Sequence, residues 1–298
     1  MSIYYTGRSV DATNAQVRLQ EQGQVTDRFA RAVEQLGSEQ ISVRLGAVYS
    51  LERLMRDSAA DQPTVVEVLS GFVRDTARRK DPELTTYRPY VWPNFGFSET
   101  SGPPRVTPRT DVQAAITVIG RRDSRFDGAA LIDLTNVDLG GISMRDGNFM
   151  QASLRGSSLF RADLVGSNLE AADLTLADLA YSYAERVNLQ RASMEGARIR
   201  RAQLSGADFR WAQVPWVDGR DAVLVTANLS DATLDYGDLS GARLDAAQLD
   251  RAALSEVSFQ DAFLNGARGM ETAFGTCVNL RGAQDVPPPW LPDMNKCG

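Results

Sequence analysis

Large apolar residues recur at every fifth position through the second half of this chain. Steps of five run from Leu134 to Phe274, which makes 29 positions, and all but three of these hold a large apolar residue. The three exceptions are Ala184, Gly219 and Gly269. A period of five matches neither the 3.6-residue period of a helix nor the two-residue period of a strand. The chain must therefore turn a corner in every repeat.

A second regularity has a period of twenty. A small residue, most often alanine, stands two positions before most of the large ones, so the repeat reads A-(D/N/x)-L-x-x. Immediately before the large residue, amides recur at multiples of twenty, with one aspartate among them: Asn148, Asn168, Asn188, Asp208 and Asn228. These side chains would lie on one face if four pentads made one turn of the chain, and we then expect them to stack and to have a structural role.

This pattern resembles the pentapeptide-repeat family. The resemblance implies a coil of four pentads, with the large and the small residues of each pentad pointing inward. About seven coils at the ~4.8 Å spacing of adjacent strands give a rod roughly 34 Å long. The predicted fold class is mainly β: a right-handed quadrilateral β-helix, the pentapeptide-repeat solenoid, preceded by a small α-helical domain.

The chain ahead of the repeats reads as helical. Apolar residues at helical spacing predict helices over Val25–Leu36 and Ser42–Met55, and Pro63 suits the first turn of a third helix. The stretch 31–58 is similar to a helical module that precedes the repeats in a subgroup of the family. That resemblance does not imply a function for the module.

The predicted organisation has five parts. They are an N-terminal helical domain (1–77), a linker rich in proline and aromatic residues (78–109), a helical cap (110–130), the β-helix (131–284) and a C-terminal capping tail (285–298). The aromatic residues of the linker indicate that it packs along a domain surface. In the tail, Trp290 is expected to lie over the last coil, because an open coil exposes unpaired backbone.

Catalytic chemistry has little support in this sequence. There is no histidine, which removes the usual general base, the commonest metal ligand and the Ser-His and Cys-His nucleophile systems. Two cysteines are too few for a disulfide framework. Aspartates before the central leucines are attributed to turn hydrogen bonding. We therefore predict a protein that is not an enzyme and has no catalytic residues, metal or cofactor.

The charge distribution narrows the choice of partner. Net charge is −6, and residues 131–284 carry 20 Asp and Glu against 14 Arg, which accounts for all of it. Nucleic acids and anionic membranes attract basic surfaces, so direct binding to either is not expected. With no apolar run long enough to span a bilayer and no signal peptide pattern, we predict a cytoplasmic protein. Its partner is expected to be a protein with a basic surface.

The sharpest functional hypothesis comes from the resemblance, because some pentapeptide-repeat proteins mimic DNA and occupy type II topoisomerases such as DNA gyrase, which gives antibiotic resistance. A duplex of 34 Å carries roughly 20 negative charges, so a net charge of −6 is a poor global mimic. A local candidate for partner binding is the acidic stretch, defined as Asp221, Asp231, Asp235, Asp238, Asp245 and Asp250. The alternative interpretation is an ordinary solvated surface.

Three smaller features complete the candidates. Arg198, Arg200 and Arg201 share a face in a 20-residue coil and form a candidate anion-binding site. Trp211 and Trp216 are expected near the surface in a local bulge beside Pro215 and Gly219. An apolar stripe on one face is a candidate for homodimerisation: Val165, Tyr183, Val223, Val225 and Phe263. The other hypotheses are a scaffold that recruits a partner through its helical domain, and an unconventional enzyme or small-molecule binder at the bulge.

Overall fold

The computed structural model describes residues 23–79 and 106–287, together with Gln16 and Gln20. In this part of the chain, helix α1 covers residues 23–36, and three further helices follow: α2 (Ile41–Asp57), α3 (Gln62–Thr76) and α4 (Thr110–Arg121). Short 3₁₀ turns stand at Ala59–Asp61 and Ser124–Phe126. The coils occupy the rest of the chain to residue 287. Most of the linker, and Trp290 in the tail, lie outside the described residues.

The helices pack around α4, which is buried along most of its length. α2 and α3 contact it with their apolar faces, which include Leu51, Val65 and Leu69, all fully buried. Inside this packing, the Asp111 carboxylate accepts hydrogen bonds from Arg44 Nε at 2.7 Å and from Arg109 Nη2 at 2.9 Å. Burial raises the pKa of Asp111, but the hydrogen bonds from the two arginines outweigh it and hold this pKa below its usual value.

The helical region supplies the partners that the first coil needs for its backbone N–H groups. In later coils, the residue before each central residue donates to the preceding coil, as Ser158 N does to Val137 O at 2.9 Å. In the first coil, Asp138 N donates to Ala77 O at 2.7 Å and Asn148 N donates to Gly120 O at 2.9 Å. On the side between them, Ser143 N donates to Gln113 Oε1 at 2.8 Å.

Carbonyl groups of the first coil are covered in the same way. Arg74 Nη1 donates to Asp133 O at 3.0 Å, and Gln113 Nε2 donates to Ser143 O at 2.8 Å. Arg122 Nη1 donates to Asn148 O, and the Arg122 side chain is almost fully buried. The helices therefore take the place of a preceding coil, and the end of the rod is not an open edge.

Each coil contains four pentads. Parallel bridges join residues twenty apart, from Asp133 with Ser153 to Gln248 with Arg268. We name the sides by their central residues in the first coil: side 1 (Leu134), side 2 (Leu139), side 3 (Met144) and side 4 (Phe149). The next coil presents the residue twenty positions later on the same side. The residue two before each central residue is called the small residue, and the one directly before it is the preceding residue. The residue directly after the central one is the following residue, and the next is the corner residue.

The core contains the central and the small residues, which are buried from Ile132 to Gly269. Where the central residue lacks bulk, neighbours fill the space. A Cβ atom on Gly219 would lie 2.6 Å from Leu239 Cδ2, and in the same pentad the small position holds a valine, Val217. A missing large residue is therefore compensated within two adjacent coils, which keeps the interior close-packed.

The period of five changes near the end of the rod. Bridges there join residues 21 apart, as with Ala253 and Phe274, because one extra residue enters the coil after Arg268. The prediction that Phe274 is a central, inward-pointing residue is therefore wrong, and its side chain is 59% exposed. Met270 and Ala273 are buried in this coil.

Candidate partner-binding surfaces

Aspartate and asparagine side chains at the preceding position are used by the coil itself. Asp138 accepts a hydrogen bond from Gly140 N at 3.0 Å, and Asp173 accepts one from Thr175 N at 2.9 Å. The same bond recurs at other pentads of the rod. It closes the turn after the central residue. The predicted structural role of these aspartates is confirmed.

The amide ladder on side 4 is also confirmed. Asn188 Nδ2 donates to Asn168 Oδ1 at 2.9 Å, and Asn168 Nδ2 donates to Asn148 Oδ1 at 3.4 Å. At Asp208 the ladder changes partner, because this carboxylate accepts from Gln190 Nε2 and from Arg210. These side chains stabilise the coil stack and are not available as a ligand site.

The acidic stretch is dispersed around the rod. Asp235 lies on side 1, Asp221 and Asp238 on side 2, and Asp245 on side 3, while Asp231 and Asp250 belong to side 4. The structure therefore does not bring the six carboxylates together. A strip of like charge along one side is absent from this stretch.

Four of the six aspartates also have arginine partners. Arg201 Nε lies 3.2 Å from Asp221, and Arg243 Nε lies 3.3 Å from Asp245. The other two pairs are Arg220 with Asp238 and Arg251 with Asp231. The hydrogen bond from Arg251 holds the pKa of Asp231 below its usual value. Pairing reduces the negative potential that these side chains present to a partner.

The arginine cluster is brought together but is partly neutralised. Arg198 and Arg200 lie on side 2, and Arg201 is at its corner. Arg198 Nη1 is 3.4 Å from Asp178, while Arg201 Nη1 is 3.2 Å from the Tyr181 hydroxyl. Among the described residues, the Arg200 Nε atom is buried without a hydrogen-bond partner. An anion at this cluster would compete with the aspartates.

The tryptophan segment follows the regular coil. Bridges from Gln213 to Thr233 and from Asp218 to Asp238 keep the 20-residue register through it, so the predicted bulge is wrong. The coil stays regular for two reasons. Gly219 lies at a central position, where Leu239 fills the space, and the Pro215 carbonyl still accepts a hydrogen bond from the Gly196 N–H at 2.9 Å. Both tryptophans stand at corners with positive φ.

Aromatic residues line the two edges of side 1. Trp211, 43% exposed, stands at one edge with the guanidinium groups of Arg191 and Arg210 over its ring, at 5.2 and 5.5 Å from the centroid. At the other edge, the rings of Trp216 and Tyr236 are stacked at 4.1 Å with an interplanar angle of 6°. Neither Tyr236 nor Arg191 was connected with the tryptophans from the sequence, although each stands twenty residues from one of them.

Between those edges, in the two coils that carry these aromatic residues, the outward side chains of side 1 are uncharged apart from Asp235. Gln213 is exposed, and Pro215 and Thr233 are partly exposed. Asp235 is fixed by a hydrogen bond that its carboxylate accepts from Ser255 N at 2.8 Å. We name this area the aromatic-edged surface: Trp211, Gln213, Pro215, Trp216, Asp235 and Tyr236.

The apolar stripe lies on side 3. Tyr183 is 47% exposed and Phe263 is 37% exposed, and Val223 and Val225 are partly exposed between them. Val165, at 7% exposure, adds little accessible area.

Two functional features are absent from the described residues. No group of three or more His, Cys, Asp or Glu is placed to hold a metal ion in residues 23–79 and 106–287. In the same ranges, no helix has the length and apolar character that a membrane span needs.

Comparison with known proteins identifies the repeats. Residues 132–171, 172–210 and 227–268 match the family described as pentapeptide repeats, with eight copies. The unmatched residues 211–226 contain both tryptophans and Gly219, yet they keep the coil geometry. Comparison with curated proteins gave no match.

Solved structures of pentapeptide-repeat proteins overlay on parts of the chain. HetL, from the cyanobacterium Nostoc sp. strain PCC 7120, is 22% identical, covering 54% of this chain and 92% of its own, with a TM-score of 0.26. Full-length QnrB1, a plasmid-mediated fluoroquinolone resistance protein, is 19% identical, covering 49% and 82%, with a TM-score of 0.29. These TM-scores are low, so nothing about function follows from the overlays. The repeat match, together with the 20-residue register that joins the matched segments, identifies residues 132–210 and 227–268 as pentapeptide repeats.

Proposed function

We propose that this protein is a non-catalytic protein-interaction module whose rod binds a partner protein through the aromatic-edged surface. The observation that carries the proposal is the concentration of exposed aromatic side chains at the edges of side 1. Tryptophan, tyrosine and arginine are enriched among the residues that dominate binding energy at protein interfaces. Trp211 with its two arginines, and Trp216 stacked on Tyr236, have this composition.

The geometry supports preorganised binding. Corner residues are fixed by the backbone on both sides, and the stacked pair and the arginines restrict the side-chain rotamers further. A surface that is rigid before binding loses less conformational entropy when a partner docks. Asp235, held by Ser255 N, places one negative charge on this surface and fits a partner that presents positive charge.

The test is affinity capture with the tagged protein and a Trp211→Ala, Tyr236→Ala double variant. We expect truncation of two such residues to reduce partner recovery at least tenfold, because each costs roughly 2 kcal/mol at the centre of an interface. The matched control is Arg186→Ala with Thr226→Ala, two exposed corner residues of side 3. Equal recovery by both variants would contradict the proposal.

A narrower form of the proposal names DNA gyrase as the partner and DNA mimicry as the mode of binding. The net negative charge of the repeats supports it. Dispersal of the acidic stretch over four sides opposes it, because a duplex presents continuous charge along its length. A supercoiling assay with and without a fluoroquinolone decides the matter, with an Asp235→Lys, Asp238→Lys variant beside the wild type. An effect that the variant loses supports mimicry, and no effect at tens of micromolar removes it.

A second candidate is recruitment through the helical region. On α2, Ile41 and Tyr49 are 50% and 51% exposed, and Leu45 lies between them at helical spacing. A Tyr49→Ala variant in the capture experiment distinguishes this candidate. If Tyr49→Ala abolishes recovery of the partner and the Trp211→Ala, Tyr236→Ala variant does not, the binding site lies on α2.

A further inference from the structure

The outward residues of side 3 are arranged symmetrically about the level of Val223. Its preceding positions form one column, in which bridges connect Tyr183, Gln203, Val223, Arg243 and Phe263 one coil at a time. The column is apolar at Val223 in its middle, and again two coils away at Tyr183 and Phe263. It is polar at Gln203 and Arg243, which lie between them. A surface can bind a second copy of itself only if rotation about a two-fold axis brings compatible groups together.

An antiparallel two-fold axis at the level of Val223 satisfies this condition. It places Val223 against its own copy, Tyr183 against the partner's Phe263, and Gln203 against the partner's Arg243. Apolar groups therefore meet apolar groups, and the arginine meets an amide that can accept a hydrogen bond.

The neighbouring column of following positions obeys the same axis independently. Val225 meets its own copy, Glu185 meets the partner's Asn265, and Ser205 meets the partner's Asp245. Each carboxylate thus faces a donor, and none faces another carboxylate or an apolar side chain. Asp245 keeps its own Arg243 at 3.3 Å in this arrangement.

The agreement extends one further coil. The bridge between Phe263 and Gln284 places Gln284 one coil beyond Phe263 on side 3. The same axis brings Gln284 against the partner's Asp163. The column of preceding positions is therefore compatible at every level from Asp163 to Gln284, and the column of following positions from Glu185 to Asn265.

Other arrangements are less favourable. A parallel two-fold axis along the rod places Tyr183 against Glu185 and Val165 against Asp163. Moving the antiparallel axis by one coil, to Gln203, places the apolar Val225 against Glu185 and buries a carboxylate without a partner. Burial of an uncompensated charge is costly, so these alternatives are disfavoured.

We infer that side 3 is the contact surface of an antiparallel homodimer centred on Val223 and Val225. The face measures about 34 Å by 15 Å, or roughly 500 Å² on each copy, which is below the ~800 Å² of a standard interface. The dimer is therefore weak and concentration dependent. Side 1 is a different surface, so the inference does not depend on the proposed function.

Sedimentation equilibrium of the full chain tests the dimer, up to about 500 µM because the interface is small. A Val223→Asp, Val225→Glu variant should remain monomeric at concentrations where the wild type dimerises. This variant is expected to fold, because acidic residues occupy both positions in other pentads, as Asp163 and Glu185 do on side 3. The matched control, Asn228→Asp with Ser230→Glu, makes similar changes in the same coil on side 4 and should dimerise as the wild type does.

Two outcomes overturn the inference directly: a wild-type chain that is monomeric throughout the range, or a side 3 variant that still dimerises. Orientation is tested by spin-label distances in a Cys277→Ser, Cys297→Ser background. Labels at Asp146→Cys lie four coils from the axis and should be separated by about 38 Å along the rod, from eight steps of ~4.8 Å. Labels at Thr226→Cys, level with the axis, should be close. A short distance at position 146 would show a parallel dimer instead.

Discussion

At the residue scale, the corner of each pentad has the most demanding backbone. Residues at this position adopt φ near +55° to +60° even when they are not glycine, as in Ala171, Arg191 and Trp211. This left-handed conformation costs a residue with a Cβ roughly 1–2 kcal/mol. Backbone hydrogen bonds to the neighbouring coils hold the corner in this conformation. The stability of the stacked coils therefore offsets the strain at each corner.

Glycine in place of a small, exposed corner residue should therefore stabilise the rod. Ala246 is exposed and has φ of 56°. We expect Ala246→Gly to raise the free energy of unfolding by about 0.5–1 kcal/mol, since relief of the corner exceeds the entropy cost of glycine. The neighbouring Ala247→Gly should lower it, because Ala247 is buried. Denaturant unfolding compares the two, and destabilisation by Ala246→Gly would contradict the account of the corner.

Asp111 gives a prediction about pH. Its pKa is below the usual value of about 3.9, so its contribution to stability is present above that pH and is lost as pH falls through the folded-state pKa. Asp111→Asn should lower the free energy of unfolding by about 3–5 kcal/mol at pH 7, because Arg44 is left buried without its counter-ion. The difference from wild type should shrink as the pH falls through the folded-state pKa of Asp111. Denaturant titrations at pH 7 and at a series of acidic pH values measure it, and a constant difference would contradict this assignment.

Pairing along the rod was readable from the sequence once the coil length was known. Arg198 with Asp178, Arg201 with Asp221 and Arg251 with Asp231 are each twenty residues apart. The acidic stretch was chosen by counting charges along the chain, which ignores both the side on which each residue lies and its neighbour in the next coil. Position within the coil, and not net charge, decides which groups a partner meets.

At the element scale, the helical region acts as the first coil's missing neighbour. Because repeat proteins are stabilised mainly by contacts between adjacent repeats, loss of this neighbour should destabilise the rod from one end. The backbone contacts by Ala77, Gln113 and Gly120 could not be predicted from the sequence, since they depend on how helices of different lengths meet the coil. Helical spacing alone did predict helices in the region that supplies them.

Arg122 tests the junction. Its buried guanidinium donates to Asn148 O, Ile119 O and the Asp127 carboxylate. We expect Arg122→Leu to lower the free energy of unfolding by about 3 kcal/mol, because the partly buried Asp127 carboxylate loses its counter-ion and two carbonyls each lose a donor. Arg125→Leu, at an 80% exposed side chain, is the control and should change it by less than about 0.5 kcal/mol.

Hydrogen exchange locates the effect of Arg122→Leu. Faster exchange should be concentrated at amides of the first coil, such as Asn148, while amides near Phe259 keep the wild-type rate. Uniform acceleration along the rod would mean that the helices and coils unfold as one unit, and would contradict this view of the junction.

At the scale of the whole molecule, the repeats fix the interior and leave the outward positions free to vary. The five-residue period predicted the interior as far as the extra residue after Arg268, where no periodic argument could place the insertion in advance. Outward positions follow no such rule, so the sequence analysis located the tryptophans at the surface but not their shared side. The aromatic-edged surface appears only when neighbouring coils are aligned.

Photo-crosslinking from one position on each side shows directly whether a partner protein binds to side 1. A photoreactive phenylalanine analogue replaces Gln213 on side 1, Gln260 on side 2, Gln203 on side 3 or Gln248 on side 4, and the crosslinked proteins are identified by mass spectrometry. We expect a heterologous protein to be crosslinked from position 213, and this crosslink to be lost when Trp211→Ala and Tyr236→Ala are added. The same heterologous protein crosslinked equally from all four sides, or from any side other than side 1, would contradict it.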